Sequence, residues 1–241
     1  MPTAVVTGAG IRIGKAIALA LAEVGYDLVL HVHRSTEGAE EVATRARALG
    51  RTATVYRADL GAPRELESLA ATLRQAHPAI DVLVNNAGIY ERLPFEAITR
   101  EHYHRMMGIN LEAPFFLTQA LLPALRAAPQ PLVVNITDIG AERVESHYAH
   151  YSASKAGLIT LTRALAVELA PKVRVNAISP GTVVFPENFD EAAQRAILAR
   201  IPLGRVGSAE DIARTVIFLA REAPYISGQV IAVDGARSAQ L

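Results

Sequence analysis

Apolar and polar positions along the chain repeat with two periods, and the switches between them mark its elements. Thr3-Ala4-Val5-Val6-Thr7 is a short β-branched run, read as a buried strand. It leads into Gly8-Ala9-Gly10-Ile11-Arg12-Ile13-Gly14 and then an amphipathic helix to about Val24. A second apolar run, Leu28 to Val32, closes a βαβ unit. The next helix, from about Thr36 to Leu49, carries Glu40, Glu41, Arg45 and Arg47, a solvated face with i,i+4 pairing. A strand at Thr52 to Arg57, a helix at Pro63 to Gln75 and a strand at Asp81 to Val84 continue the alternation. Helical segments cover Arg100 to Leu125, and Leu132 to Ile136 is a strand. A helix follows from about His150 to Ala170, then a strand from Val173 to Ile178. A helix near Ser208 to Ala220 and a last strand, Gln229 to Val233, complete the pattern. Strands alternating with helices predict a doubly wound parallel α/β sheet of about seven strands, with helices on both faces.

Composition narrows the class of protein. With 241 residues, 51% of them apolar, the chain has enough material for one α/β domain spanning residues 1–241. Its 24 basic and 24 acidic residues cancel, which argues against a nucleic-acid surface. The absence of cysteine excludes disulfides, thiolate metal sites and a Cys nucleophile. No apolar run reaches membrane-spanning length. The first strand begins at Thr3 with no leader pattern before it, so the expected location is cytoplasmic.

The chemistry gathers at predicted strand ends. Glycines between the first strand and its helix let backbone approach a pyrophosphate, which then sits on the helix N-terminus. The second strand ends His33-Arg34-Ser35 without an acid, whereas a reader of a free ribose 2′-hydroxyl carries Asp or Glu there. Asp27 lies at that strand's other end. Arg34, Ser35 and Arg12 can instead take a 2′-phosphate, so the expected cofactor is NADPH/NADP. Asn85-Asn86-Ala87-Gly88 gives small residues for close approach at another strand end. Tyr151 and Lys155 are four apart on one helix face. An ammonium beside a phenol is expected to lower the phenol's pKa and make it a proton donor near neutral pH. The less apolar stretch Pro186 to Arg200 is expected to form a substrate lid at about 184–205. The histidine pairs His31/His33, His102/His104 and His147/His150 fit no metal-ligand frame, so no metal is expected.

With Thr7-Gly8…Gly14, Asp59-Leu60, Asn85-Asn86-Ala87-Gly88, Asn110, Tyr151…Lys155 and Pro180-Gly181 in order, the chain resembles the short-chain dehydrogenase/reductase family along nearly its whole length. The resemblance implies a Rossmann-type fold, with Tyr151 as proton donor and Lys155 on the nicotinamide ribose. It also implies that Asn110 anchors a relay water and that Asp59 meets the adenine. Gly8, Arg12, Ile13, Gly14, His33, Arg34, Ser35, Leu60, Asn86, Ala87, Gly88, Pro180 and Gly181 complete the implied cofactor site. Homotetramers are usual in the family, with helices around Asn110 and after Tyr151 packing between subunits.

Two departures point to one branch. Arg12 stands at a usual glycine, and Asp138 at the usual catalytic serine. With His33-Arg34-Ser35 these resemble the NADPH-dependent pteridine reductases, which use an Asp-Tyr-Lys set. In that branch an aromatic residue at the position of Tyr90 stacks on the pterin, and Tyr148 matches a second tyrosine. Val183 stands where many relatives place a hydroxyl near the carboxamide. The serine-to-aspartate change has a physical reading. A serine hydroxyl can donate to the oxyanion of a ketone reduction, whereas an ionised carboxylate accepts only and favours an iminium. The expected activity is therefore NADPH-dependent reduction of a dihydropterin, a small-molecule substrate held by Tyr90, Asp138, Tyr148 and Tyr151. A 3-oxoacyl thioester or other ketone reductase is the alternative, and a non-catalytic NADP(H)-sensing protein is a third reading.

Overall fold

The computed structural model describes residues 1–183 and 190–239. In chain order the elements are β1 (Thr3–Thr7), α1 (Arg12–Glu23), β2 (Asp27–Val32), α2 (Thr36–Ala48), β3 (Ala53–Arg57), α3 (Pro63–Ala76), β4 (Val82–Asn85) and α4 (Arg100–Met107). They continue with α5 (Ala113–Ala127), β5 (Leu132–Ile136), α6 (Ala149–Glu168), β6 (Arg174–Pro180), α7 (Glu191–Leu198), α8 (Ala209–Arg221) and β7 (Val230–Val233). All sheet pairings are parallel, in the order β3-β2-β1-β4-β5-β6-β7. This is the Rossmann-type doubly wound sheet that the alternation predicts.

Both faces of the sheet are buried, and strand residues divide between them with period two. Ala4, Val6, Leu28, Leu30, Val82, Val84 and Val134 pack with α1, α2 and α8. Val5, Val29, Leu83 and Val133 pack with α3, α5 and the end of α6. Strand order reverses between β1 and β4, and the crevice beyond the carboxyl ends there is where such sheets take ligands. The motif residues at the ends of β1, β4, β5 and β6 therefore converge on one edge.

The glycine loop is tight for a local reason. A Cβ on Gly14 would lie 2.1 Å from the Gly8 carbonyl oxygen, and one on Gly10 2.4 Å from that of Ser35. Gly38 in α2 plays the matching part, because its Cβ would lie 2.1 Å from the Gly10 oxygen. The Asn86 amide ties the loop to the end of β4 by donating to the Thr7 and Gly8 carbonyls at 2.9 and 3.2 Å.

Candidate active site

Tyr151 and Lys155 lie on one face of α6, both buried against the end of β5. Asp138 stands just beyond β5 in extended backbone, at the start of a one-turn 3-10 helix, Ile139–Ala141. Its Oδ1 accepts the Gly140 N–H at 2.6 Å, and its Oδ2 accepts the Tyr151 hydroxyl at 2.9 Å. One carboxylate thus caps a turn and faces the site tyrosine. The Lys155 ammonium donates to the Ile136 carbonyl at 2.9 Å. Tyr90 stacks on Tyr148 with centroids 4.8 Å apart and meets Tyr151 edge-on, also at 4.8 Å. Sequence reading places these side chains together, and the structure does so.

Their protonation differs from expectation. Burial and the adjoining Asp138 carboxylate raise the Tyr151 pKa well above its ordinary value. The expected lowering by Lys155 is corrected, since the Tyr151 hydroxyl faces a carboxylate and the ammonium is bonded to Ile136. Burial also raises Asp138, against the opposing pull of the Gly140 N–H, Tyr151, Lys155 and Arg237. Lys155 is the group brought nearest to neutrality, since burial lowers it to about 8 despite the Asp138 charge. The Tyr151 hydroxyl thus donates to Asp138 beside a lysine whose pKa is brought down to about 8.

Asn110 sits in a π-helical turn, Gly108–Glu112, inserted between α4 and α5. Such turns widen a helix and often mark functional sites. Its Oδ1 accepts the Ile89 N–H at 2.9 Å, and its Nδ2 donates to the Ile89 carbonyl at 3.0 Å and to Ser154 Oγ at 3.1 Å. Asn110 therefore fastens the segment after β4 to α6. A Cβ on Gly88 would meet Asn110 Oδ1 at 3.2 Å and Lys155 Nζ at 3.5 Å, so these three residues share one corner.

The glycine loop suits a dinucleotide phosphate. Helix α1 begins with no side-chain cap and no acid in its first turn, leaving its N–H groups and positive dipole end for an anion. Arg12 adopts φ 49°, a left-handed conformation at the usual glycine position. Arg12 and Arg34 are exposed, and among the described residues neither pairs with a carboxylate. Ser35 precedes α2 with its side chain uncommitted to capping. His33 Nε2 lies 4.0 Å from Asp59 Oδ2, so both line this end of the sheet. Leu60 is buried, while Ile13 and Ala87 pack against the core. β6 runs through Pro180, and a Cβ on Gly181 would lie 2.7 Å from that of Asp234.

Several neighbours were invisible in the sequence. Thr7 Oγ1 accepts the N–H groups of Asn86 and Ala87, both at 2.9 Å. Arg237 donates to Thr182 Oγ1 and to Glu145 Oε1, both at 2.7 Å. Val183 is packed against the core, and the nearest hydroxyl in sequence, Thr182, is engaged by Arg237. No spacing signal links residues so far apart. Of the lid expected at 184–205, residues 184–189 lie outside the described residues, and α7 falls within the rest of that stretch. The histidine pairs do not assemble, and among the described residues no group of three acids or histidines gathers as a metal site.

Residues 8–236 match the family model described as "Enoyl-(Acyl carrier protein) reductase". A curated relative, the 3-oxoacyl-(acyl-carrier-protein) reductase of Aggregatibacter actinomycetemcomitans, is 39% identical over 97% of this chain and 98% of its own. Among solved structures, a short chain dehydrogenase from Burkholderia cenocepacia J2315 in complex with NADP superposes with a TM-score of 0.91 at 31% identity, covering 98% of this chain and 97% of its own. A blue fluorescent protein from a metagenomic library, in complex with NADPH, gives a TM-score of 0.89 at 33% identity, covering 97% and 96%.

Proposed function

The chain belongs to the short-chain dehydrogenase/reductase family, and from that premise we propose that it is an NADPH-dependent oxidoreductase whose site suits a dihydropterin. The observation that carries the substrate reading is the 2.9 Å hydrogen bond from Tyr151 to Asp138. A carboxylate at that point accepts protons and attracts cations, the reverse of what a ketone oxyanion requires. The exposed Tyr90 ring, stacked on Tyr148 and beside Tyr151, is suited to a flat heteroaromatic substrate.

The bound cofactor would supply the hydride. Gly8, Gly10 and Gly14 would admit its pyrophosphate to α1, while Arg12, Arg34 and Ser35 would take the 2′-phosphate. Two NADP-bound structural neighbours support that choice. Lys155 would hold the ribose, and Asn110 would keep Gly88 and Ile89 beside it. Reduction of a C=N bond needs one proton at nitrogen. Asp138 would favour the protonated, iminium-like form, and Tyr151 would pass on the proton it shares with Asp138. The whole chain would then act as one NADP(H)-binding unit, cytoplasmic and homotetrameric.

A second reading is reduction of a 3-oxoacyl thioester, and the curated relative's name favours it over the pterin. Position 138 separates the two. NADPH oxidation is followed with dihydrobiopterin and with an acetoacetyl thioester, in wild type and Asp138→Ser. On the pterin reading wild type reduces only the pterin, and Asp138→Ser loses about a hundred-fold in kcat, within the usual range for a general acid-base group. Turnover of the thioester alone would overturn the pterin reading.

A further inference from the structure

Two residues beside the site tyrosines have no part in the chemistry above. Glu91 follows Tyr90, and His150 precedes Tyr151. Glu91 Oε2 lies 3.5 Å from His150 Nε2, and its other oxygen accepts from Arg105 of α4. The Leu93 N–H, two residues on, donates to the His147 carbonyl at 2.9 Å. The segment carrying Tyr90 is thus stapled to the start of α6, where Tyr148 and Tyr151 stand.

His150 is a costly residue for mere packing. Its side chain is 1% exposed. With Nε2 turned to Glu91, Nδ1 has no hydrogen-bond partner among the described residues. An apolar side chain would fill the same space without that loss. What the imidazole adds is its tie to Glu91. Burial pushes the Glu91 carboxyl up, but hydrogen bonds from Arg105 and His150 outweigh this and hold it below the ordinary value.

We propose that Glu91 and His150 are positioning residues that hold the Tyr90 ring in place against Tyr148 and Tyr151, and through it set the affinity for the substrate. This deepens the proposed function and rests on the substrate entering beside Tyr90. The tie joins the residue after one ring to the residue before the other, so its loss lets Tyr90 swing without disturbing Asp138, Lys155 or the glycine loop.

The test is His150→Leu and His150→Gln in the NADPH-loaded protein. KM is measured for whichever of dihydrobiopterin and the acetoacetyl thioester wild type reduces, so failure of the pterin reading and failure of the brace are read separately. His150→Leu is expected to raise that KM about ten-fold, as misplacement of a positioning surface does. kcat, NADPH affinity and thermal midpoint should hold, and His150→Gln, which can still donate to Glu91, should regain most of the affinity. An unchanged KM in His150→Leu, or no recovery with Gln, overturns the proposal. Should the Leu variant not fold, Glu91→Ala at the rim gives the same reading: a raised KM supports the brace and an unchanged one overturns it.

Discussion

At the scale of single residues the site is defined by where charge is buried. Lys155 is enclosed, and burial lowers it from 10.5 to about 8. The folded chain binds this proton less tightly than the unfolded chain. Lys155 therefore contributes full stability only above the unfolded value of 10.5, and loses it as pH falls through about 8. At neutral pH the buried ammonium is a cost of up to about 3 kcal/mol, at about 1.4 kcal/mol per unit. Lys155→Met should accordingly be more stable than wild type in urea at about pH 7, with the gap closing towards about pH 9.5. A gap that stays constant with pH would show that Lys155 is not the group responsible. Asp138 has the opposite sign: its raised pKa gives stability below the unfolded value and loses it as pH rises through the folded one. Methionine should abolish activity at every pH, so gained stability and lost function separate within one variant.

At the scale of elements, backbone approach decides more than side-chain type. The positions of β1 through β7 were legible because period-two burial on both faces leaves uninterrupted apolar runs between turn signals. Boundaries shifted by a residue or two, as where β6 extends through Pro180. The π turn around Asn110 was not legible, because an extra residue in a helix leaves no mark in an apolar pattern. Gly38 was equally silent: it sits inside a helix, and only the 2.1 Å approach of its would-be Cβ to the Gly10 oxygen explains it. Arg12 was legible as a departure but not as strain, and its φ of 49° carries a cost of order 1 kcal/mol for a residue with a Cβ. Arg12→Gly should remove that strain and leave the cofactor-free chain as stable or up to about 1 kcal/mol more so. The same change takes a guanidinium from the proposed 2′-phosphate corner, so NADPH affinity should fall about ten-fold, as expected for a lost charge-assisted contact, with NADH affinity unchanged. Equal losses for both cofactors would instead place Arg12 in loop geometry alone.

At the scale of the whole molecule, the helices that hold the site also carry apolar surface without a partner in one chain. Phe115 and Phe116 on α5 are 39% and 49% exposed, and Val167 near the end of α6 is 82% exposed. The same helices bury their other faces beneath the sheet, with Leu117 and Leu121 on α5 and Ala166 on α6 in one core cluster. Rings of this size in water are a cost that association removes, at about 25 cal/mol per Å² of apolar surface covered. The homotetramer expected from the family resemblance would bring these helices together across subunits. Sedimentation of wild type at micromolar concentration should therefore give a species larger than one chain, and Phe115→Glu with Phe116→Glu should shift it towards smaller ones. Because α5 leads directly from the π turn that sets Asn110, and α6 carries Tyr151 and Lys155, dissociation should lower kcat as well as size. If the double variant sediments as wild type does, subunit contact lies on another face and these phenylalanines are surface residues of the protomer. If it dissociates with kcat intact, the π turn and α6 hold their geometry within one chain, and assembly serves stability rather than catalysis.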